Sequence, residues 1–263
     1  MLVDAWFDYW IGIKKQTVRP NTVRNYSERY ERNIKGVIGN KLLTDVKPIH
    51  CQKIFSDMAD EGYKTTTIYQ TRIALYNMFE FARENDVLIA NPCKKSLKSD
   101  MGKPSDKKEA LTIDVQKKFL EAVVGYSYEN QYRFVLQTGL RTGELIGLKW
   151  SDIDFESRTM KIERTMEWKD IVFLCRKGTP VKNSTYDTGL FKYCDRVGIP
   201  RFSMHVLRHT FATRCIEGGM KPKTLQKILG HSNIGITMNL YVHITEDEKH
   251  REIDLVADAL KVV

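Results

Sequence analysis

Two arginines, two histidines and a tyrosine stand in three short boxes of this chain: Thr138-Gly139-Leu140-Arg141-Thr142-Gly143-Glu144, His205-Val206-Leu207-Arg208-His209, and Leu229-Gly230-His231 with Tyr241 ten residues on. These residue types suit the breaking of a phosphodiester. Arginine presents a planar fork of donors that matches two phosphate oxygens and keeps its charge. Two such forks neutralise the charge that builds on a pentacoordinate phosphorus. One imidazole can take a phenol proton, and a second can donate a hydrogen bond to a non-bridging oxygen. Tyr241, as nucleophile, would end covalently joined to phosphate.

Each box also has an ordinary explanation. Arg141 reads as a surface residue at a turn into a helix, with Glu144 three residues on to hold it. His205 and Arg208 share a helix face that a salt bridge would satisfy. His231 follows Gly230 at a helix end, where histidines often cap, and Tyr241 is one of twelve tyrosines. Order and spacing give the set its weight.

The elements that must position these residues are mostly helices. Leu2, Trp6, Tyr9, Trp10 and Ile13 repeat at helical spacing and form a core stripe. Pro20 opens a second helix with Val23, Tyr26, Tyr30 and Ile34 apolar and Arg24, Arg29 and Arg32 on its other face. Further helices are expected over Pro48–Glu61, ending at Gly62, and over about Thr66–Asn85. From Asn91 to Glu109 the apolar rhythm stops, and two prolines, a glycine and six lysines make a linker whose Lys94, Lys95, Lys98 and Lys103 suit a phosphate backbone. Helices return near Thr112–Val124, Glu129–Thr138 and Thr142–Leu148. Thr159–Arg164 alternates as a strand does, with Ile171–Leu174 as a partner, and helices then run to the end. The pattern predicts a mainly α chain with a small β-sheet: a helical domain over 1–90, a basic linker over 91–110 and an α+β domain over 111–263.

With 263 residues, the chain is long enough for two such domains. Forty-two Lys and Arg against thirty-three Asp and Glu give a net charge of +9, which favours a polyanion such as nucleic acid or, more blandly, a basic surface. The five cysteines are scattered and lack metal-ligand spacing, as in a reduced, intracellular protein without structural zinc. No apolar stretch approaches bilayer length, and Asp4 and Asp8 spoil a signal peptide, so a cytoplasmic, nucleoid-associated address without membrane contact is expected.

The complete set resembles the tyrosine recombinases, the phage-type integrase family, whose pattern runs Gly-Leu-Arg-x-Gly-Glu, His-x-x-Arg, Leu-Gly-His and then a tyrosine. The motifs cover Leu111 to about Glu248, and residues 1–90 resemble the family's SAM-like core-DNA-binding domain. The resemblance implies that Arg141 and Arg208 bind the scissile phosphate, His205 acts as general acid/base, His231 stabilises the transition state and Tyr241 forms a 3′-phosphotyrosyl link. It implies double-stranded DNA held between two domains, with contacts from Arg24, Lys94, Lys95, Lys98 and Lys103, in a homotetramer on paired sites of a mobile bacterial element. Accessory DNA-bending or directionality factors are implied as well. No metal or other cofactor is needed, because the phosphotyrosine conserves the bond energy. The amphipathic segment Glu246–Val263 would dock on a neighbour or cover its own domain.

The chain departs from the pattern twice. Family members often carry a further arm-binding domain, whereas this sequence starts at a core-binding-like helix, as a simpler member or a fragment would. The family also places a catalytic lysine on a β-hairpin between the first arginine and His-x-x-Arg. Here that interval is short, with a shortening expected between 165 and 170. Lys169 is the nearest candidate for the general acid, and Lys161 and Lys177 are weaker ones. Slowed cleavage with DNA binding kept is the expected consequence. A non-catalytic DNA-binding protein on the same fold is the alternative from another class, and a topoisomerase of related chemistry is a third.

Overall fold

Apolar residues that recur every three or four positions line up on one side of a helix, and the first segment uses this to build a core. The computed structural model describes residues 1–94, 101–105, 109–162, 171–175 and 177–241. Helix α1 (Val3–Thr17) buries Val3, Trp6, Phe7, Trp10 and Ile11. The stripe is rotated from the expected one, leaving Leu2 and Tyr9 exposed. Phe7 stacks on Tyr30 with ring centroids 3.7 Å apart, which turns the Val3, Phe7, Ile11 edge inward.

Helix α2 (Pro20–Arg29) opens on a proline, whose fixed φ suits the first helical position, and passes through a π turn, Tyr30–Ile34, into α3 (Lys35–Ile38). Tyr30 donates to Asp4 Oδ1 at 2.5 Å; burial and this carboxylate drive the phenol pKa well up. Helices α4 (Pro48–Asp60) and α5 (Thr65–Glu84) complete the core with Ile54, Phe55, Leu75, Met78 and Phe79. The Trp6 indole donates to the Met78 carbonyl at 3.2 Å.

The chain divides into two compact units, Met1–Lys107 and Lys108–Val263. Described parts of the expected linker fold back onto the first unit. Asn91 donates to the Tyr76 carbonyl and to Glu80, and its side-chain Oδ1 accepts from the Cys93 amide, with Cys93 buried. Lys103 exchanges backbone hydrogen bonds with Tyr63 and Thr65. Polar side chains and backbone pairing do this work, so the lack of apolar rhythm was no measure of order here.

In the second unit, α6 (Ile113–Ala122) is capped by the Thr112 hydroxyl, which accepts from the Val115 amide. It packs with α7 (Glu129–Thr138) and α9 (Asn183–Val197) through an aromatic core of Phe119, Tyr132, Tyr186 and Tyr193. Between them lie α8 (Thr142–Gly147) and a two-stranded antiparallel hairpin, β1 (Ile153–Asp154) and β2 (Thr159–Met160). Asp154 accepts from the amides of Glu156 and Ser157 to close the turn. The expected strand partner is thereby corrected: Thr159 and Met160 pair with the residues before them, while Ile171 bridges to Lys149 and Leu174 to Pro180. A short Asx turn closes locally and forestalls the more distant pairing.

Helix α10 (Met204–Glu217) packs along α7. Thr210 accepts from the Leu111 amide at 2.9 Å, and Arg214 donates to the Leu111 carbonyl at 2.6 Å, so the start of this unit is tied to α10. Helices α11 (Pro222–Leu229) and α12 (Ile234–Tyr241) follow. Among the described residues no helix is long and apolar enough to cross a membrane.

Candidate functional site

Helix α7 ends in Gly139, whose φ of +68° is open to glycine at little cost. A side chain there would also collide with the Phe211 ring. This tight exit brings Arg141 to the N-cap of α8. The Arg141 amide donates to Glu144 Oε2 at 2.7 Å and its guanidinium to Glu144 Oε1 at 2.6 Å. A second guanidinium nitrogen donates to the Gly230 carbonyl at 3.0 Å.

Arg208 is buried, with 5% of its surface exposed. It donates to the Gly139 carbonyl at 2.7 Å and to the Leu229 carbonyl at 2.6 Å, and lies 3.6 Å from Glu144. The carbonyls come from the C-terminal ends of α7 and α11, which carry orphan acceptors and partial negative charge. Two helix ends and one carboxylate thus hold two guanidiniums side by side. Burial, and then Arg141, pull the Arg208 pKa down to about 10 against the opposing pull of Glu144. Arg208 keeps its charge at neutral pH. A guanidinium has five N–H donors, so anchoring bonds of this kind are compatible with a grip on phosphate oxygens.

Gly230 ends α11 at a φ of +58°, and His231 follows it, within reach of the charges of Arg208 and Arg141. Burial lowers the His231 pKa, and the charges of Arg208, Arg141 and His205 lower it further, so the ring is neutral at physiological pH. His231 Nδ1 lies 2.9 Å from the hydroxyl of Thr237, which is fully buried on α12. His205, exposed one turn before Arg208, completes a group of four.

Tyr241 is held apart. Its hydroxyl donates to the Met220 carbonyl, and its ring packs with Leu225 and Leu229. Burial, then Cys215, raise the phenol pKa. Met220 lies beyond the end of α10, whereas Arg208 is on its second turn, about 13 Å back along the helix axis at 1.5 Å per residue. The nucleophile is within the same unit but bonded away from the arginines.

Arg24 is exposed on α2 and 3.7 Å from Glu28. Lys94 and Lys103 are exposed on the first unit, and Lys94 contributes to holding the Glu80 carboxyl below its usual range, behind bonds from Arg83 and Asn91. Lys95, Lys98, Lys169 and the segment Glu246–Val263 lie outside the described residues. Lys161 donates its amide to Asp152 at 2.9 Å beside the hairpin. Sequence reasoning missed the Met220 carbonyl, which has no side-chain signature, and Thr237, whose only signal is a polar residue in an apolar run four before the tyrosine. Among the described residues no group of His, Cys, Asp or Glu is arranged to hold a metal.

Comparison with known proteins supplies a second line of observation. The family model described as "Phage integrase family" matches residues 109–170 and 163–248, and that of the "Phage integrase, N-terminal SAM-like domain" matches 3–59. A "Tyrosine recombinase XerC-like" protein of Caldanaerobacter subterraneus is 25% identical, covering 98% of this chain and 83% of the relative. The "Transposase from transposon Tn916" of Enterococcus faecalis is 27% identical over 91% of this chain and 75% of its own length. The Tn1549 transposon integrase, solved with circular intermediate DNA, superposes with a TM-score of 0.82 at 24% identity, covering 96% of this chain and 99% of that one; the fold is shared.

Proposed function

Because the chain belongs to the phage integrase family of tyrosine recombinases, we propose that it is a site-specific DNA recombinase that integrates or excises a mobile element. The observation that carries this reading is the joint anchoring of Arg141 and Arg208 by Glu144 and two helix ends, with their charges and burial lowering the pKa of His231. Two guanidiniums and one carboxylate leave a net positive charge, suited to a phosphodiester and better suited to the doubly charged transition state.

The Tyr241 oxygen attacks phosphorus as its proton passes to a base, a role assigned to His205, one turn before Arg208 on α10. The bond from phosphorus to the 5′-oxygen breaks, and that oxygen leaves as a hydroxyl once protonated. DNA is left as a 3′-phosphotyrosyl ester, which a 5′-hydroxyl from another strand reverses. Exchange between two duplexes breaks four strands in all, and one tyrosine per chain makes four protomers the natural assembly. Tyr241 must first leave the Met220 carbonyl, so duplex binding and cleavage are separate events.

The two stretches matched by the integrase family overlap at 163–170, which supports a shortened lysine-bearing segment at that point. A leaving oxygen with a poorly placed acid is expelled on the order of a hundredfold or more slowly. Cleavage is accordingly slow relative to binding. Incubation with a nicked suicide duplex, which loses its 5′-hydroxyl fragment on cleavage, tests the proposal. It predicts a slowly accumulating covalent adduct that Tyr241→Phe abolishes; tight, salt-sensitive binding with no adduct favours an occupancy-only DNA-binding protein instead.

A further inference from the structure

We propose that Thr237 is a positioning residue for His231: its hydroxyl donates to Nδ1 and so presents the Nε2–H edge of the ring to the phosphate held by Arg141 and Arg208. The inference rests on the phosphoryl-transfer reading above and adds a residue outside the set of five.

Thr237 is a fully buried polar side chain, and its hydroxyl is 2.9 Å from Nδ1. A buried hydroxyl without a partner is costly, so this bond is the natural state of both groups. A neutral imidazole carries one proton, on one nitrogen or the other. If Nδ1 accepts from Thr237, the proton resides on Nε2, and His231 is a donor toward a non-bridging oxygen. Without that hydroxyl the ring can take the other tautomer, which offers the phosphate a lone pair and repels it. The neighbouring charges of Arg208 and Arg141 disfavour a second proton that would remove the ambiguity. Control of the tautomer therefore falls to Thr237.

The placement has a second consequence. Thr237 and Tyr241 are four residues apart on α12 and share a helix face. The bond to His231 pins the middle of α12 to the phosphate site while Tyr241, at its end, is bonded to Met220. Release of the phenol can then proceed with His231 left in register.

The test compares Thr237→Val, which keeps the shape and loses the hydroxyl, with Thr237→Ser, which keeps the hydroxyl. A misdirected transition-state donor costs on the order of ten- to a hundredfold. Thr237→Val should lower single-turnover adduct formation by that factor with duplex affinity unchanged, and Thr237→Ser should restore it to within a few-fold. In a His231→Ala background, Thr237→Val should add nothing; a merely structural role would still slow the reaction. Nitrogen-15 NMR of the ring gives a readout that needs no cleavage: wild-type His231 should be the Nε2–H tautomer, shifting toward a mixture in Thr237→Val. A His231 spectrum unchanged by Thr237→Val overturns the proposal, as does an equal loss in both backgrounds. Absence of any wild-type adduct, with the tautomer shift present, sinks the recombinase reading and leaves the positioning role standing.

Discussion

Arg208→Lys isolates the electrostatics of the site, because its environment can be carried over to another base. The protein pulls Arg208 down from the ordinary arginine range to about 10, by burial and by the nearby Arg141. A lysine in the same place starts near 10.4, and the same burial beside Arg141 pulls it further down. Its ammonium therefore loses its proton at a lower pH than the guanidinium does. Wild-type enzyme keeps this charge through about pH 9, whereas the variant sheds it within the alkaline range and there loses transition-state stabilisation about tenfold for each further pH unit. An ammonium also cannot span the Gly139 and Leu229 carbonyls as the guanidinium fork does. Leaving one buried carbonyl unpaired costs about 1–3 kcal/mol of stability, which sets the temperature at which rates should be compared. The assay is single-turnover cleavage of a suicide duplex at saturating protein, from about pH 6.5 to 9.5. Taking the ratio of variant to wild-type rates cancels every other titration. A ratio that is already low at pH 7 and falls steeply as the pH rises fits the structure. A ratio constant to within about twofold across the range would mean that burial beside Arg141 does not govern the charge at this position.

Gly139→Ala forces a Cβ into the Phe211 ring at a positive φ and should cost about 2–4 kcal/mol in urea denaturation, with cleavage lost as Arg208 loses its anchor. Tyr241→Phe should abolish adduct formation yet bind duplex normally, and should lower stability by only about 0.5–1.5 kcal/mol for the lost bond to Met220. Phe119→Ala, deep in the aromatic core of the second unit, should lower stability by about 3–5 kcal/mol without weakening the first unit's own unfolding transition. Lys169→Ala should slow strand cleavage, and rescue by a duplex whose 5′-leaving group is a thiol would mark it as the acid; an unchanged rate would reject that role.

Much of the architecture was legible because it depends on local spacing. The limits of α4 and α5 follow from Pro48, Gly62 and the apolar repeat between, and the Gly-Leu-Arg box announces the turn that delivers Arg141. The four clustered residues could be named because their chemistry lies in side chains. What was hidden depends on partners distant in sequence. The face of α1 was misjudged by a fraction of a turn, since only Tyr30 determines which aromatic edge turns inward. Residues Asn91–Lys94 and Met101–Ser105 read as bare linker because they are held by an asparagine fork and backbone pairing. The resting position of Tyr241 was illegible for the same reason, being held by a main-chain carbonyl that every residue possesses.

Covalent attachment of Tyr241 to the 3′-phosphate of cleaved DNA is read out by peptide mapping of the adduct. After reaction with a suicide duplex, nuclease trimming and tryptic digestion, a nucleotide 3′-phosphate should be found on the peptide Ile228–Lys249, with fragmentation assigning it to Tyr241. A linkage to any other residue, or through a 5′-phosphate, would contradict it.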